Sequence, residues 1–349
     1  MRRVLLPLLV LAGFALSVAI PRYELVDKYV QLVLMYVGIN VILAASLNLV
    51  NGYMGEFSVG HAGFMAVGAY TASLLTVKVF PVAWGPWVFP LAVAAGGLVA
   101  ALFGLLVAIP SFKTRGDYLA LVTLAFLMIV KSLIENIDVI GGPRGLLGMK
   151  KLTTLPWTFA WVALTLWILR NFVYSKYGRG VLAIREDETA SELMSVRTRR
   201  VKFLAFSLSS FFAGVGGGLF AHVLQFISPR VFDIVKSTDI LIMVYLGGTA
   251  SLAGSVLGAT LYTVLLEVLR PTAVAAAFSW LPEATYDWLW QHVFQGLGTW
   301  RMVLMPLLLV LVMLFRPRGI LGMREFPLLV PAEERRPGAQ WLARKGTPE

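Results

Sequence analysis

From Val79 to Phe112 the chain runs 34 residues without one charged side chain, and Tyr29–Gly55 and Ile240–Leu266 each run 27. A helix needs about 20 apolar residues to cross a hydrocarbon core, so each run is long enough to do so. In lipid no water satisfies the backbone, and a helix bonds its own N–H and C=O groups. The fold class is therefore all-α, a polytopic membrane protein. Composition agrees: 58% of residues are hydrophobic and 14% charged, against about 25% charged in soluble domains. The net charge of +11 raises nucleic acid binding, but Lys and Arg cluster beside the apolar runs rather than on one amphipathic face, as topology determinants do. No nucleic acid partner is expected. With no cysteine, disulfides, thiolate metal sites and cysteine nucleophiles are excluded. His61, His222 and His292 are scattered, and no metal site is expected.

Taken in order, the runs give about ten membrane-embedded helical segments. The basic start, the apolar centre Val4 to Ile20 and Ser17-Val-Ala19 also fit a signal peptide. In a chain full of spans they are read as the first span. Tyr29 to Gly55, Phe57 to Val77, about 87 to 110, Asp117 to about Asn136 and Leu152 to Leu169 follow. Pro81, Pro86 and Pro90 place a turn before the span at 87. Lys131 and Glu135 lie one helical turn apart, and the cost of burying a charge predicts an i, i+4 pair near the interface. Phe203 to Ile227 is a span with Gly214, Gly216, Gly217 and Gly218, where helices approach closely.

Ile240 to Leu266 as one helix would reach about 40 Å at 1.5 Å per residue, longer than the core unless tilted. Gly247, Gly248, Gly254 and Gly258 interrupt it, so two short elements meeting at the glycines are predicted. Trp280, Trp288, Trp290 and Trp300 mark an interfacial segment. A last span runs from about 300 to Phe315, and the polar, Pro-containing tail from Arg324 onward is expected to be flexible. With ten crossings both termini share a side with 51–56, 111–116 and 170–202. That side holds 19 of the 30 Lys and Arg residues and the opposite side 10; the bias makes it cytoplasmic.

Ser175 to Lys202 is the one long charged stretch between spans, with seven basic and four acidic residues. It reads as a partner contact. Its acids gather where they complement the positive end of a helix, with Asp187 as N-cap. Ala190, Leu193 and Met194 then share an apolar face at i, i+3 and i+4. A helix of about ten residues is marginal alone, so it needs a surface to pack on, from its own membrane domain or another subunit.

Residues from about 30 to 325 resemble the LivM-type permease of the branched-chain amino acid ABC importer family. The resemblance rests on Leu47-Asn-Leu-Val-Asn-Gly-Tyr-Met-Gly-Glu-Phe-Ser-Val-Gly-His-Ala-Gly-Phe64 with Gly68-Ala-Tyr70, and on Gly116-Asp-Tyr-Leu-Ala120 with Thr123-Leu124. It rests also on Gly141-Gly-Pro143 with Gly145, Arg179-Gly180, Ala183-Ile-Arg-Glu-Asp-Glu188, Lys202 with Ala205-Phe206, Gly247-Gly248, Gly254 and Gly258-Ala259. Together with the span order and the charge bias it gives a permease domain over 1–325 with a cytoplasmic coupling loop at about 175–202, and an expected flexible cytoplasmic tail over 326–349. It also implies a prokaryotic inner-membrane location and four kinds of partner: a related permease subunit, two cytoplasmic ATPase subunits, an external substrate-binding protein and membrane lipid.

ATPase coupling is thereby carried to Arg185, Glu186, Asp187, Glu188, Ala190, Ser191, Glu192, Leu193, Met194 and Ser195. The general importer pattern there is Glu-Ala-Ala, three residues, then Gly. This chain has Thr189-Ala190-Ser191 and ends on Ser195, which puts the tight helix exit in question.

The second candidate region sets polar residues among glycines between apolar runs, suited to broken helices lining a pathway. Its substrate-pathway residues are Asn48, Asn51, Gly52, Gly55, Ser58, Gly60, His61, Gly63, Tyr70 and Thr123. A helix N-terminus would accept an amino acid carboxylate, and carbonyls or Glu56 its ammonium. No Gly-x-x-x-x-Gly-Lys-Ser/Thr, His-Glu-x-x-His or Gly-x-Ser-x-Gly occurs, so the chain is expected not to be an enzyme and to bind no cofactor. ATP and Mg would sit in partner subunits. The alternative is a stand-alone secondary transporter or channel for small polar solutes, which has no need of an ATPase-docking helix.

Overall fold

The computed structural model describes residues 2–80, 87–112, 118–270, 295–316, 319–322, 325, 326 and 330. Among the described residues there are twelve α-helices and no strand. They are α1 (Arg2–Arg22), α2 (Lys28–Asn48), α3 (His61–Leu74), α4 (Phe89–Ser111), α5 (Tyr118–Asn136), α6 (Leu155–Val173), α7 (Lys176–Glu186), α8 (Glu188–Leu193), α9 (Thr198–Leu224), α10 (Ile234–Gly247), α11 (Leu252–Val268) and α12 (Gln295–Phe315). Each of the ten expected membrane segments is helical, and α7 and α8 make up the charged stretch between them. Five helical stretches, Lys28–Met54, His61–Val79, Phe89–Ser111, Tyr118–Asn136 and Thr198–Leu224, are long and apolar enough to cross a membrane by length and composition. The expectations for Trp280, Trp288 and Trp290 and for the tail from 331 fall outside the described residues.

The bundle is organised on α9, which packs against α2, α3 and α4. Lipid is as apolar as leucine, so close packing rather than removal from water must hold such helices together. Glycine permits it here. A Cβ on Gly68 of α3 would lie 2.2 Å from Gly214 Cα, and one on Gly217 would lie 2.0 Å from Met65 O. Larger side chains fill in above and below: Phe64 meets Phe206 edge-on at 5.6 Å, and Phe212, Val215 and Leu219 are fully buried.

The run around the central glycines does break into two elements. α10 has 14 residues and α11 has 17, about 21 and 26 Å of helix. Gly248 leaves helical geometry at φ 139°, Ala250 sits at φ 56°, and Ser251 restarts the chain by accepting from Gly254 N at 2.9 Å. The two helices then touch through backbone, since a Cβ on Gly258 would lie 2.0 Å from Met243 O.

One predicted pairing is corrected. Lys131 donates to Asp233 Oδ2 at 3.0 Å rather than pairing with Glu135. Asp233 is the N-cap of α10 and accepts from Ile234 N at 2.7 Å. That N–H, together with Lys131, holds its carboxyl below the usual carboxylate range. A carboxylate already fixed at a helix start is the better partner, because it loses little further freedom on pairing.

After α12 the chain folds back on the α10–α11 break. Ile320 N and Leu321 N donate to Leu246 O and Gly247 O at 3.0 and 3.1 Å, satisfying carbonyls at the end of α10. Glu325 accepts from Tyr53 Oη at 2.8 Å and from Leu252 N and Ala253 N at the start of α11. Burial pushes its carboxyl up from the ordinary carboxylate range, while these donors pull the other way. The same end of the bundle therefore carries the end of α2, the α10–α11 break, the end of α12 and, as shown next, α7 and α8.

Candidate functional site

The charged stretch is a helix–turn–helix rather than a loop with one helix in it. Ser175 caps α7, its Oγ accepting from Tyr177 N and Gly178 N at 3.2 and 3.3 Å. Val181 and Ile184 face inward. At Asp187 the backbone turns extended (φ −161°, ψ 115°), and the side chain starts α8 by accepting from Ala190 N at 3.0 Å, as its N-cap role predicts.

The end of α8 resolves the question raised by the missing glycine. Ser195 N donates to Glu192 O at 3.0 Å and Val196 N to Ser191 O at 3.1 Å, the pair of bonds that defines a Schellman exit. Ser195 makes it at φ 62°, where a side chain is strained. Ser191 is buried and donates to Asp187 O at 2.7 Å, a bond that alanine cannot make. Ser195→Gly is expected to stabilise this turn by roughly 0.5–1 kcal/mol, read as slower amide exchange at Val196. Faster exchange there would contradict the strain.

Two faces of α8 differ sharply. Leu193 and Met194 are 82% and 80% exposed, so the apolar face does not pack on the membrane domain among the described residues. The acidic face does. Glu192 accepts from Thr198 Oγ1 at 2.9 Å, and Glu188 pairs with Lys202 at 2.8 Å. Lys202 was expected just before a span beginning at Phe203. Instead α9 starts at Thr198, and the lysine side chain is 6% exposed inside it. Its ammonium also donates to Glu56 at 2.7 Å and lies 5.5 Å from the centre of the Phe112 ring.

Glu56 lies within the second candidate region, between Gly55 and Ser58, so Lys202 joins the two. Here α2 continues into a π-helical turn, Leu49–Met54, which ends at Gly55 in the left-handed region (φ 76°). Wide turns of this kind recur at functional sites. Arg185 lies across Gly55, where a Cβ would come 2.8 Å from its Cγ, and Arg185 Nη1 is buried without a hydrogen-bond partner among the described residues. Glu186, by contrast, is exposed.

The remaining polar residues are tied internally. Asn48 donates to Ser251 O and Ser255 Oγ at 2.9 and 2.8 Å and accepts from Ala250 N at 2.9 Å. It thereby clamps α2 to the α10–α11 break. A Cβ on Gly52 would lie 1.8 Å from Asn48 Oδ1, and one on Gly60 2.0 Å from Thr123 O. Asn51 and Ser58 exchange two bonds at 3.2 and 3.3 Å. Thr123 Oγ1 accepts from Val59 N at 3.2 Å, His61 Nε2 lies 2.9 Å from Ser46 Oγ, and Gly63 rests on Leu127. Tyr70 is the exception. It is buried, and its hydroxyl has no hydrogen-bond partner among the described residues.

Sequence reasoning missed α7 and Lys202. The first had a signal, Ser175 ahead of inward-facing Val181 and Ile184; the second had none locally.

A profile of the branched-chain amino acid transport system permease component matches residues 29–313. The chain is 33% identical over 321 residues to the high-affinity branched-chain amino acid transport system permease protein LivM of Escherichia coli K12, covering 82% of this chain and 68% of that one. It is 23% identical over 345 residues to the probable branched-chain amino acid transport permease protein LivM of Methanocaldococcus jannaschii, covering 86% and 95%. A shorter stretch of 119 residues is 29% identical to the autoinducer 2 import system permease protein LsrC of Yersinia pseudotuberculosis, 31% of this chain and 33% of that one. No solved structure matches.

Proposed function

The chain belongs to the branched-chain amino acid transport permease family, and on that premise we propose that it is the membrane-spanning subunit of an ATP-driven importer for branched-chain or related amino acids. It contributes conformational coupling rather than chemistry and binds no cofactor of its own; ATP and Mg belong to two cytoplasmic ATPase subunits. A related permease subunit completes the membrane part, and an external binding protein delivers the substrate. The charge bias supports a prokaryotic inner-membrane protein with both termini in the cytoplasm.

The observation that carries the reading is the Lys202 junction. One buried cation bonds Glu188 on α8 and Glu56 beyond the π-helical turn, so a displacement of α8 is passed toward the Asn48–Thr123 region through Lys202, beside the contact of Arg185 on α7 with Gly55. The exposed Leu193 and Met194 supply the apolar contact by which an ATPase would grip α8. ATP-driven closure of the ATPases then moves α8, and Lys202 carries that motion to Gly55 and the helix ends around it, alternating access. Along the pathway the Tyr70 hydroxyl, buried and without a hydrogen-bond partner among the described residues, is a polar group that a solute would meet once the bundle opens.

Replacing Glu188 and Glu192 together by Lys, in the complete transporter reconstituted in vesicles, is expected to lower uptake and substrate-stimulated ATP hydrolysis several-fold with membrane insertion intact. Unchanged activities would sink the α8 assignment. Uptake by the purified chain with no ATPase present would favour a secondary carrier instead.

A further inference from the structure

A groove of about 520 Å³ runs between α7 and the first turns of α9. Lys176 and Arg179 line one wall and Arg197 and Arg200 the other, and no acidic residue lines it. The nearby acids Glu188 and Glu192 are already bonded to Lys202 and Thr198. Lys176, Arg197 and Arg200 form no ion pair among the described residues. Like charges gathered in one groove repel, and such an arrangement persists most readily where an anion offsets it.

Two further features add to the positive potential and shape the groove. α7 and α9 both begin beside it, so the partial positive charge of two helix starts lies near, and no side chain caps α9 among the described residues. Gly180 forms part of the floor, where its missing side chain leaves the space open; a Cβ there meets Val201 and Val196 only at 3.4–3.6 Å.

The groove also crosses a chemical boundary. Its four cations belong to the charged stretch, and its lining also includes Leu204, 45% exposed in the uncharged run that begins at Phe203. Tyr177, 42% exposed, stands at its side with Lys176 Nζ 5.2 Å from the ring centre. A soluble anion has no use for an exposed leucine beside four cations. A phospholipid needs both, cations for its phosphate and an apolar surface for its acyl chain, and basic pockets between membrane helices on the cytoplasmic side hold such headgroups.

We propose that the groove between α7 and α9 is a binding site for the phosphate of an anionic phospholipid, with Arg197 and Arg200 as its main donors. The purified full-length chain in detergent is titrated with short-chain phosphatidylglycerol, with phosphatidylcholine of equal chain length, and with inorganic phosphate, and retained lipid is read by native mass spectrometry. Phosphatidylglycerol is expected to bind preferentially. The Arg197→Gln/Arg200→Gln double variant should weaken it about thirtyfold, roughly fivefold per arginine. Gly180→Leu, which keeps every charge and fills the floor, must lose the same lipid, while Lys150→Gln/Lys151→Gln leaves binding unchanged. Equal binding of the zwitterionic lipid, phosphate binding as tightly as the lipid, or unaltered retention in both groove variants would overturn the proposal. So would weakened capture of the partner ATPase by the arginine variant with lipid binding intact, since the groove would then be a protein contact.

Discussion

Lys202→Met is expected to leave the chain inserted in the membrane, lower its stability by about 3 kcal/mol and reduce coupled transport at least tenfold. The stability loss comes chiefly from one side. Glu56 is 22% exposed and Glu188 45%, so Glu188 turns to water at little cost, while Glu56 is left at a packed helix junction without its cation. Glu56→Gln in the Lys202→Met background removes that stranded charge and should recover most of the stability. It cannot recover the link between α8 and the π-helical turn. Melting in detergent and uptake in vesicles of the complete transporter are therefore expected to separate: stability returns in the double variant and transport does not. Arginine is a poor replacement as well, because its planar fork does not reproduce a compact ammonium shared by two carboxylates beside a phenyl ring. If Lys202→Met/Glu56→Gln transports normally, the lysine is only structural and the coupling route lies elsewhere.

The part of this arrangement that was legible in the sequence is the part governed by local chemistry. The spans show as uncharged runs because lipid admits little else, and the α10–α11 break shows because a 27-residue run with four glycines fits a bilayer poorly as one helix. Asp187 announced α8 because an N-cap acts within three residues. The start of α9 was hidden for the converse reason: Thr198 to Lys202 is charged, and hydropathy cannot tell a helix that extends past the membrane from a loop. Lys202 itself depends on Glu56, 146 positions away. Asn48, singled out for a pathway, makes its bonds some 200 positions on, at the α10–α11 turn. The Lys131 pairing failed in the same way, since i, i+4 spacing knows nothing of Asp233. The exit of α8 shows a subtler case: the glycine is absent, yet the Schellman bonds form around Ser195, because three-dimensional context can impose a conformation that composition alone discourages.

Adjacent glycines on α9 give the sharpest test of how the bundle is held. Gly216 and Gly217 occupy one helix, and alanine at either gains the same helix propensity, up to about 1 kcal/mol. Their neighbours differ in kind. A Cβ on Gly216 would meet Leu43 Cδ2 at 2.9 Å and Cγ at 3.1 Å, atoms of a side chain that need give by only a few tenths of an ångström. A Cβ on Gly217 would meet Met65 O at 2.0 Å and Ala69 N at 3.0 Å, which are backbone atoms of α3 and cannot yield without moving the helix. Because α3 also rests on α9 at Gly68 and Gly214, displacing it at one point opens both contacts, and lipid offers no compensating attraction. Gly216→Ala is therefore expected to change unfolding stability in mixed detergent by less than about 1 kcal/mol, and Gly217→Ala to cost about 3 kcal/mol or more. The same α3 carries His61, Gly63 and Tyr70, so Gly217→Ala should also depress transport per folded molecule, whereas Gly216→Ala should not. Equal effects of the two substitutions would mean that α3 and α9 do not meet backbone to backbone, and that the pathway is not positioned by their contact.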